Sequence, residues 1–194
     1  FLKSENLQLT GSFKLRGAYY KISKLSPEEK EKGVIACSAG NHAQGVALAS
    51  KANNIKATIF IPATAPISKV EATRSYGADI QLIDGVYDDA YQAAIKFQQK
   101  TNGIFIHPFD DIDVIAGQGT IALEILDQLS DVDAIVVPIG GGGLISGIAA
   151  TIKQIKPTCK VYGVQAQKAD SMYESRKEHQ RVELKSVNTF ADGT

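Results

Sequence analysis

Short apolar runs of strand length alternate along the chain with longer stretches of helical period. Val34-Ile35-Ala36-Cys37 reads as a strand, followed by a helix over 42–53 with Ala43, Val46, Ala47 and Ala49 near one face. Ala57 to Ile61 is the next strand, stopped by Pro62, and Ser68 to Tyr76 a helix closed by Gly77. The pattern continues with a strand at 80–83, a helix at 88–101 and a strand at 103–106. A polar loop, His107 to Asp113, precedes a helix at 119–129. A strand at 134–137, a helix at 144–155 and a strand at 160–164 complete it, while Phe1-Leu2-Lys3 has strand character. Strands separated by helices of 10–15 residues predict βαβ units, hence an α/β protein whose parallel sheet is covered on both faces. The loop at 107–113, followed by Gly117-Gln118-Gly119, is the expected crossing between two lobes.

Composition narrows the function classes. Lys+Arg and Asp+Glu are 21 each among 194 residues, which argues against a polybasic nucleic-acid surface. No apolar run reaches the roughly 18–20 residues of a membrane span. Cys37 and Cys159 lie far apart without CxxC spacing, so neither a disulfide framework nor a zinc ribbon is indicated. His107 and His179 join no metal motif. The expectation is a soluble, intracellular, globular protein. The chain opens without methionine and stops at Ala191-Asp192-Gly193-Thr194, so it is expected to be an interior piece of a longer protein.

Three segments carry chemistry. Gly140-Gly141-Gly142-Gly143-Leu144 follows a strand and opens a helix. Its backbone N–H groups and the helix dipole suit a phosphate, although a tight turn with close helix–sheet packing also explains the glycines. A dinucleotide fingerprint fails in both registers, and Gln165 stands where the ribose-binding acid belongs. No Walker lysine follows Gly143, so a monophosphate fits better than NAD or ATP. In Thr10-Gly11-Ser12-Phe13-Lys14-Leu15-Arg16-Gly17, Ser12 reads as an N-cap that places Lys14 in the first turn of a helix to about residue 24. Lys14 there is either a solvent-facing lysine or, if desolvated, an amine of lowered pKa fit for nucleophilic work. Ser38-Ala39-Gly40-Asn41-His42-Ala43-Gln44-Gly45 leaves backbone donors open to a carboxylate, and Asn41 adds an amide donor. His42 alone reads as a structural hydrogen-bonder.

These motifs, with Val114-Ile115-Ala116-Gly117-Gln118-Gly119-Thr120 and Ala191-Asp192-Gly193, occur in the order and spacing of the threonine/serine dehydratases. The chain resembles that group, within the tryptophan-synthase-β-like (fold type II) pyridoxal-phosphate enzymes, over essentially its whole length. Thr10-Gly11 before Ser12 is more similar to the catabolic than to the biosynthetic dehydratases. The resemblance implies a truncated two-lobed fold. Residues 1–32 and 114–194 would form a large cofactor-binding domain, incomplete at both ends, with a small α/β domain inserted at 33–113. It implies that Lys14 carries pyridoxal 5'-phosphate as a Schiff base, that Phe13 lies against the ring and that Asn41 bonds the 3′-oxygen. Gly140, Gly141, Gly142, Gly143 and Leu144 would hold the phosphate. Ser38, Ala39, Gly40, Asn41 and His42 would receive the substrate carboxylate, with Gly193 lining the site.

The implied reaction is dehydration and deamination of L-threonine to 2-oxobutanoate and ammonia, with L-serine to pyruvate as a secondary activity. Homodimers or homotetramers, and no nucleic-acid or membrane partner, are implied likewise. Serine racemases of the same group carry a serine at the position of Ala39, and a divalent cation on acidic residues at those of Gln165 and Ser171. Ala39 cannot exchange a proton, and both acids are missing, so no metal is expected. A racemase or β-replacement enzyme is one alternative. A non-catalytic phosphate- or nucleotide-binding module is another, and it would not need a buried Lys14.

Overall fold

The computed structural model describes residues 1–191, and the expected contact of Gly193 lies outside the described residues. The chain divides into two compact units, Phe1–Gly117 and Gln118–Thr194.

In the first unit a four-stranded parallel sheet has the order β3-β2-β1-β4, from β1 (Val34–Cys37), β2 (Ala57–Pro62), β3 (Asp79–Ile83) and β4 (Ile104–Phe105). β1 and β2 are buried at every position, as their unbroken apolar runs require of central parallel strands. Side chains alternate across the pleat. Val34, Ala36, Ile59 and Ile61 join one core with α1 (Lys14–Ser23), α3 (Asn41–Ala52) and α4 (Ile67–Ser75). Ile35, Cys37 and Phe60 point the other way, onto Ala90 and Ala94 of α5 (Tyr87–Thr101). There Phe60 meets Phe97 with ring centroids 5.5 Å apart, and Tyr91 meets Phe105 edge-on at 5.8 Å.

The second unit contains a βαβ motif. β5 (Ala134–Pro138) and β6 (Lys160–Val164) pair in parallel, Ala134 opposite Lys160, and α7 (Gly143–Ile155) connects them and packs on both. Ile135 and Val137 of β5 are buried, while Val136, Tyr162 and Val164 are exposed. The expected double cover of the sheet holds for β1 and β2.

Several boundaries differ from the hydrophobic pattern. Phe1, Leu2 and Lys3 form no strand. α2 (Pro27–Lys32) has no apolar stripe; its start is fixed by a capping box, the Ser26 hydroxyl accepting Glu29 N–H while the Glu29 carboxylate accepts Ser26 N–H. α8 (Ser171–Lys177) buries no residue and so left no periodic trace. α6 (Ile112–Gln128) begins seven residues before the expected start. The Asp111 carboxylate caps it, accepting N–H bonds from Asp113 at 2.8 Å and Val114 at 3.1 Å. Gly117 sits inside that helix because α1 passes against it: a Cβ there would lie 2.6 Å from Gly17 Cα and 2.7 Å from the Arg16 carbonyl oxygen.

Candidate active site

Lys14 is the first residue of α1. Phe13, directly before it, already has helical dihedrals, and its carbonyl accepts Arg16 N–H at 3.0 Å. The buried Ser12 hydroxyl still receives the Lys14 N–H at 3.4 Å. The side chain of Lys14 is partly buried; its Nζ donates to the Pro108 carbonyl at 2.7 Å and lies 5.5 Å from the centre of the Phe13 ring. Removal from water disfavours the ammonium and pushes its pKa down to about 8. The side chain is thus turned onto the Pro108 carbonyl rather than out into bulk solvent.

The Ser38–Gly45 segment crosses beneath this helix. Gly45 lets the two backbones touch, since a Cβ there would lie 3.0 Å from the Lys14 carbonyl carbon and 3.1 Å from Leu15 N. Ser38 N–H donates to the Phe60 carbonyl, and its hydroxyl accepts Gly40 N–H at 3.1 Å, curling the loop at the end of β1. Gly40 is the N-cap of α3, no side chain closes that end, and Asn41 is exposed at its first position. The early N–H groups of such a helix have no intrahelical partner. Ala39 presents a methyl group and packs against the core. His42 is buried, with Nε2 donating to the Ile106 carbonyl at 2.8 Å. Burial pushes its pKa to about 3, so the ring is neutral and its role at this point is structural.

The next two residues, His107 and Pro108, turn toward the same lysine. His107 Nδ1 accepts N–H bonds from Asp110 at 2.7 Å and Phe109 at 3.3 Å, winding the chain around Pro108. Burial lowers the pKa of His107 as well. The Thr10 hydroxyl, four residues before Lys14, is buried without a hydrogen-bond partner. The motifs assign no role to Pro108 or Gly45. Pro108 gives no local signal, being 94 residues from Lys14, whereas Gly45 stood at the end of a motif.

In the second unit the chain leaves β5 at Pro138, Ile139 N–H bonds the Val164 carbonyl, and Gly142 caps α7 with φ 91°. Only glycine adopts that conformation readily. No side chain caps this end either, and Gly143 rather than Leu144 is the first helical residue. A bare helix start behind a glycine run presents unpaired N–H donors and the positive end of the dipole to an anion. Further on, the Gln165 amide donates to the Ala169 carbonyl and accepts Tyr173 N–H at 2.9 Å, tying the loop after β6 to α8. Among the described residues no group of three His, Cys, Asp or Glu is arranged to hold a metal.

Residues 1–194 match the family described as "Pyridoxal-phosphate dependent enzyme". The chain is 53% identical to L-threonine ammonia-lyase of Thermotoga maritima over 193 residues, which is 100% of this chain and 48% of that protein. Its fold superposes on the processed form of threonine deaminase isoform 2 from Solanum lycopersicum with a TM-score of 0.96. That match has 50% identity and covers 98% of this chain and 56% of the other. Maize serine racemase gives a TM-score of 0.94 at 42% identity, covering 97% and 57% of the two chains. The chain thus spans about half the length of the proteins it matches.

Proposed function

Because this chain belongs to the pyridoxal-phosphate-dependent enzyme family, we propose that the protein converts L-threonine to 2-oxobutanoate and ammonia, and L-serine more slowly to pyruvate. The observation that carries this reading is Lys14: a partly buried amine at a helix start, bonded to the Pro108 carbonyl, whose pKa burial lowers to about 8. Such an amine sheds its proton well below the pH at which an ordinary lysine does, and serves as nucleophile and base. The residues suit the cofactor chemically: an amine of depressed basicity for its aldehyde, and an uncapped glycine-led helix start for its phosphate. When bound, the cofactor supplies a ring that accepts charge from the substrate Cα.

Each side chain then has a task. Lys14 holds the cofactor and, once the substrate amine takes its place, removes the α-proton. Phe13 is assigned to the face of the ring, Asn41 to its 3′-oxygen, and the backbone of Gly140, Gly141, Gly142, Gly143 and Leu144 to the phosphate. The N–H groups of Ser38 through His42 are assigned to the substrate carboxylate, and Gly193 to the wall of the site. Ala39 has no proton to return to Cα from its side, which favours elimination over racemisation. Loss of the β-hydroxyl with the α-proton is the removal of water; water then replaces the amine as ammonia leaves, giving the 2-oxo acid.

We assign residues 33–113 to a small inserted domain, supported by a sheet whose strands all fall within 34–105. Residues 1–32 and 114–194 are assigned to the large one. No helix among the described residues is long and apolar enough to cross a membrane; the proposed setting is the cytoplasm, as a homodimer or homotetramer. A serine racemase is the second reading, favoured by the maize enzyme's similar fold. Full-length protein supplied with pyridoxal phosphate and either L-threonine or L-serine separates the two. The expected result is 2-oxobutanoate forming faster than pyruvate, with no D-serine. D-serine as the main product would establish the second reading, and no 2-oxo acid from either substrate would overturn the first.

A further inference from the structure

We propose that Lys21 and Lys24, paired with Asp111 and Asp113, position the Lys14 amine on the Pro108 carbonyl. This rests on the role given to Lys14 above.

Lys14 and Lys21 are seven residues apart on one helix, two turns, and so lie on the same stripe about 10 Å from each other. The chain from 107 to 113 runs beside that stripe. At one end Pro108 accepts the Lys14 Nζ at 2.7 Å. Three residues on, a span of at most about 10 Å, Asp111 meets Lys21 at 2.9 Å. Asp113 then meets Lys21 at 3.2 Å and Lys24 at 2.7 Å. Two matched contacts at the same spacing hold a segment parallel to a helix, and neither fixes the alignment alone.

The segment itself is stiff. Pro108 has a locked φ, His107 Nδ1 ties down the N–H groups of Phe109 and Asp110, and Asp111 uses one oxygen to cap α6 and the other to bind Lys21. The Gly17–Gly117 approach pins α1 against α6 between the two contacts. Releasing Lys21 therefore lets the 107–113 segment lean away as a unit, carrying the Pro108 carbonyl off Lys14 and admitting water. His42 on α3 and His107 also face Lys14; burial pushes the pKa of both down, and Asp110 and Asp111 act in the opposite sense on His107.

The ion pairs are partly exposed, and such pairs add little to stability by themselves. The decisive readout is the lysine. Competitive acetylation of the cofactor-free full-length protein, followed by peptide mass analysis across a pH series, titrates Lys14 directly. Lys21→Met is expected to raise its apparent pKa by about one pH unit toward the ordinary lysine value. Lys21→Arg, which keeps both pairs, should restore the parent titration. Asp113→Asn leaves the α6 cap intact and gives a smaller shift in the same direction, which keeps the test open should Lys21→Met fold poorly. In the holoenzyme Lys21→Met should lower kcat about tenfold with KM little changed. The kinetic isotope effect with α-deuterated L-threonine should rise at the same time. An unchanged Lys14 titration in both Lys21→Met and Asp113→Asn would overturn the proposal. If the parent protein makes no 2-oxo acid, the functional reading fails instead, and the titration still decides this one.

Discussion

The depressed basicity of Lys14 makes folding stability depend on pH in a way one substitution can isolate. With a pKa of about 8 in the folded chain against 10.5 in the unfolded one, the unfolded state binds more protons between those values. Stability must therefore rise with pH through that window, while below it the lysine is charged in both states and the whole penalty is present. The full shift corresponds to about 3 kcal/mol, of which about 1 kcal/mol is regained between about pH 7 and about pH 9. Lys14→Met removes the titrating group and nearly preserves its volume. Loss of the bond to the Pro108 carbonyl lowers the variant's stability equally at both pH values, so the difference between pH values isolates the amine. Urea unfolding of the cofactor-free full-length protein at the two pH values is the assay. The parent should gain about 1 kcal/mol relative to Lys14→Met on going from the lower to the higher pH. Equal pH dependence of the two proteins would refute the desolvated-lysine argument.

Other substitutions probe the surroundings. Gly45→Ala drives a methyl group into the backbone of Lys14 and Leu15 at 3.0–3.1 Å. It should cost about 1–3 kcal/mol in urea unfolding and lower cofactor occupancy, read from the visible absorbance of the holoenzyme. Gly142→Ala forces a side chain onto φ 91°; it should cost about 1–2 kcal/mol and weaken cofactor retention in equilibrium dialysis. Thr10→Val replaces a buried hydroxyl without a partner and should be neutral or stabilising by up to about 1 kcal/mol in the cofactor-free protein, measured by thermal unfolding. A clear loss of stability there would show that the hydroxyl has a partner.

What was legible in the chain follows from which interactions are local. β1 and β2 announced themselves because central parallel strands bury both faces, and Gly33 and Pro62 bound their apolar runs. α2 had a local signal too, in Ser26-Pro27-Glu28-Glu29, but one of capping rather than hydrophobic period. The hydrophobic pattern starts α6 too late because Gly117 and Gly119 resemble loop residues in sequence, whereas Gly117 marks where α1 presses against α6. The glycine run after β5 and the Ser38–Gly45 turn were readable as donor-rich loops. The state of Lys14 was not, since its burial and its acceptor come from a segment 94 residues away. The motifs' joint resemblance to the dehydratases filled that gap, and the structure supplies an independent physical reason for singling out Lys14.

Lys14 is proposed as the amine that engages the cofactor. Borohydride reduction of the full-length protein incubated with pyridoxal phosphate, followed by peptide mapping, tests it most directly. A phosphopyridoxyl group is expected on the peptide containing Lys14, absent from Lys14→Met. Modification of another lysine in its place, or no adduct at all, would contradict it.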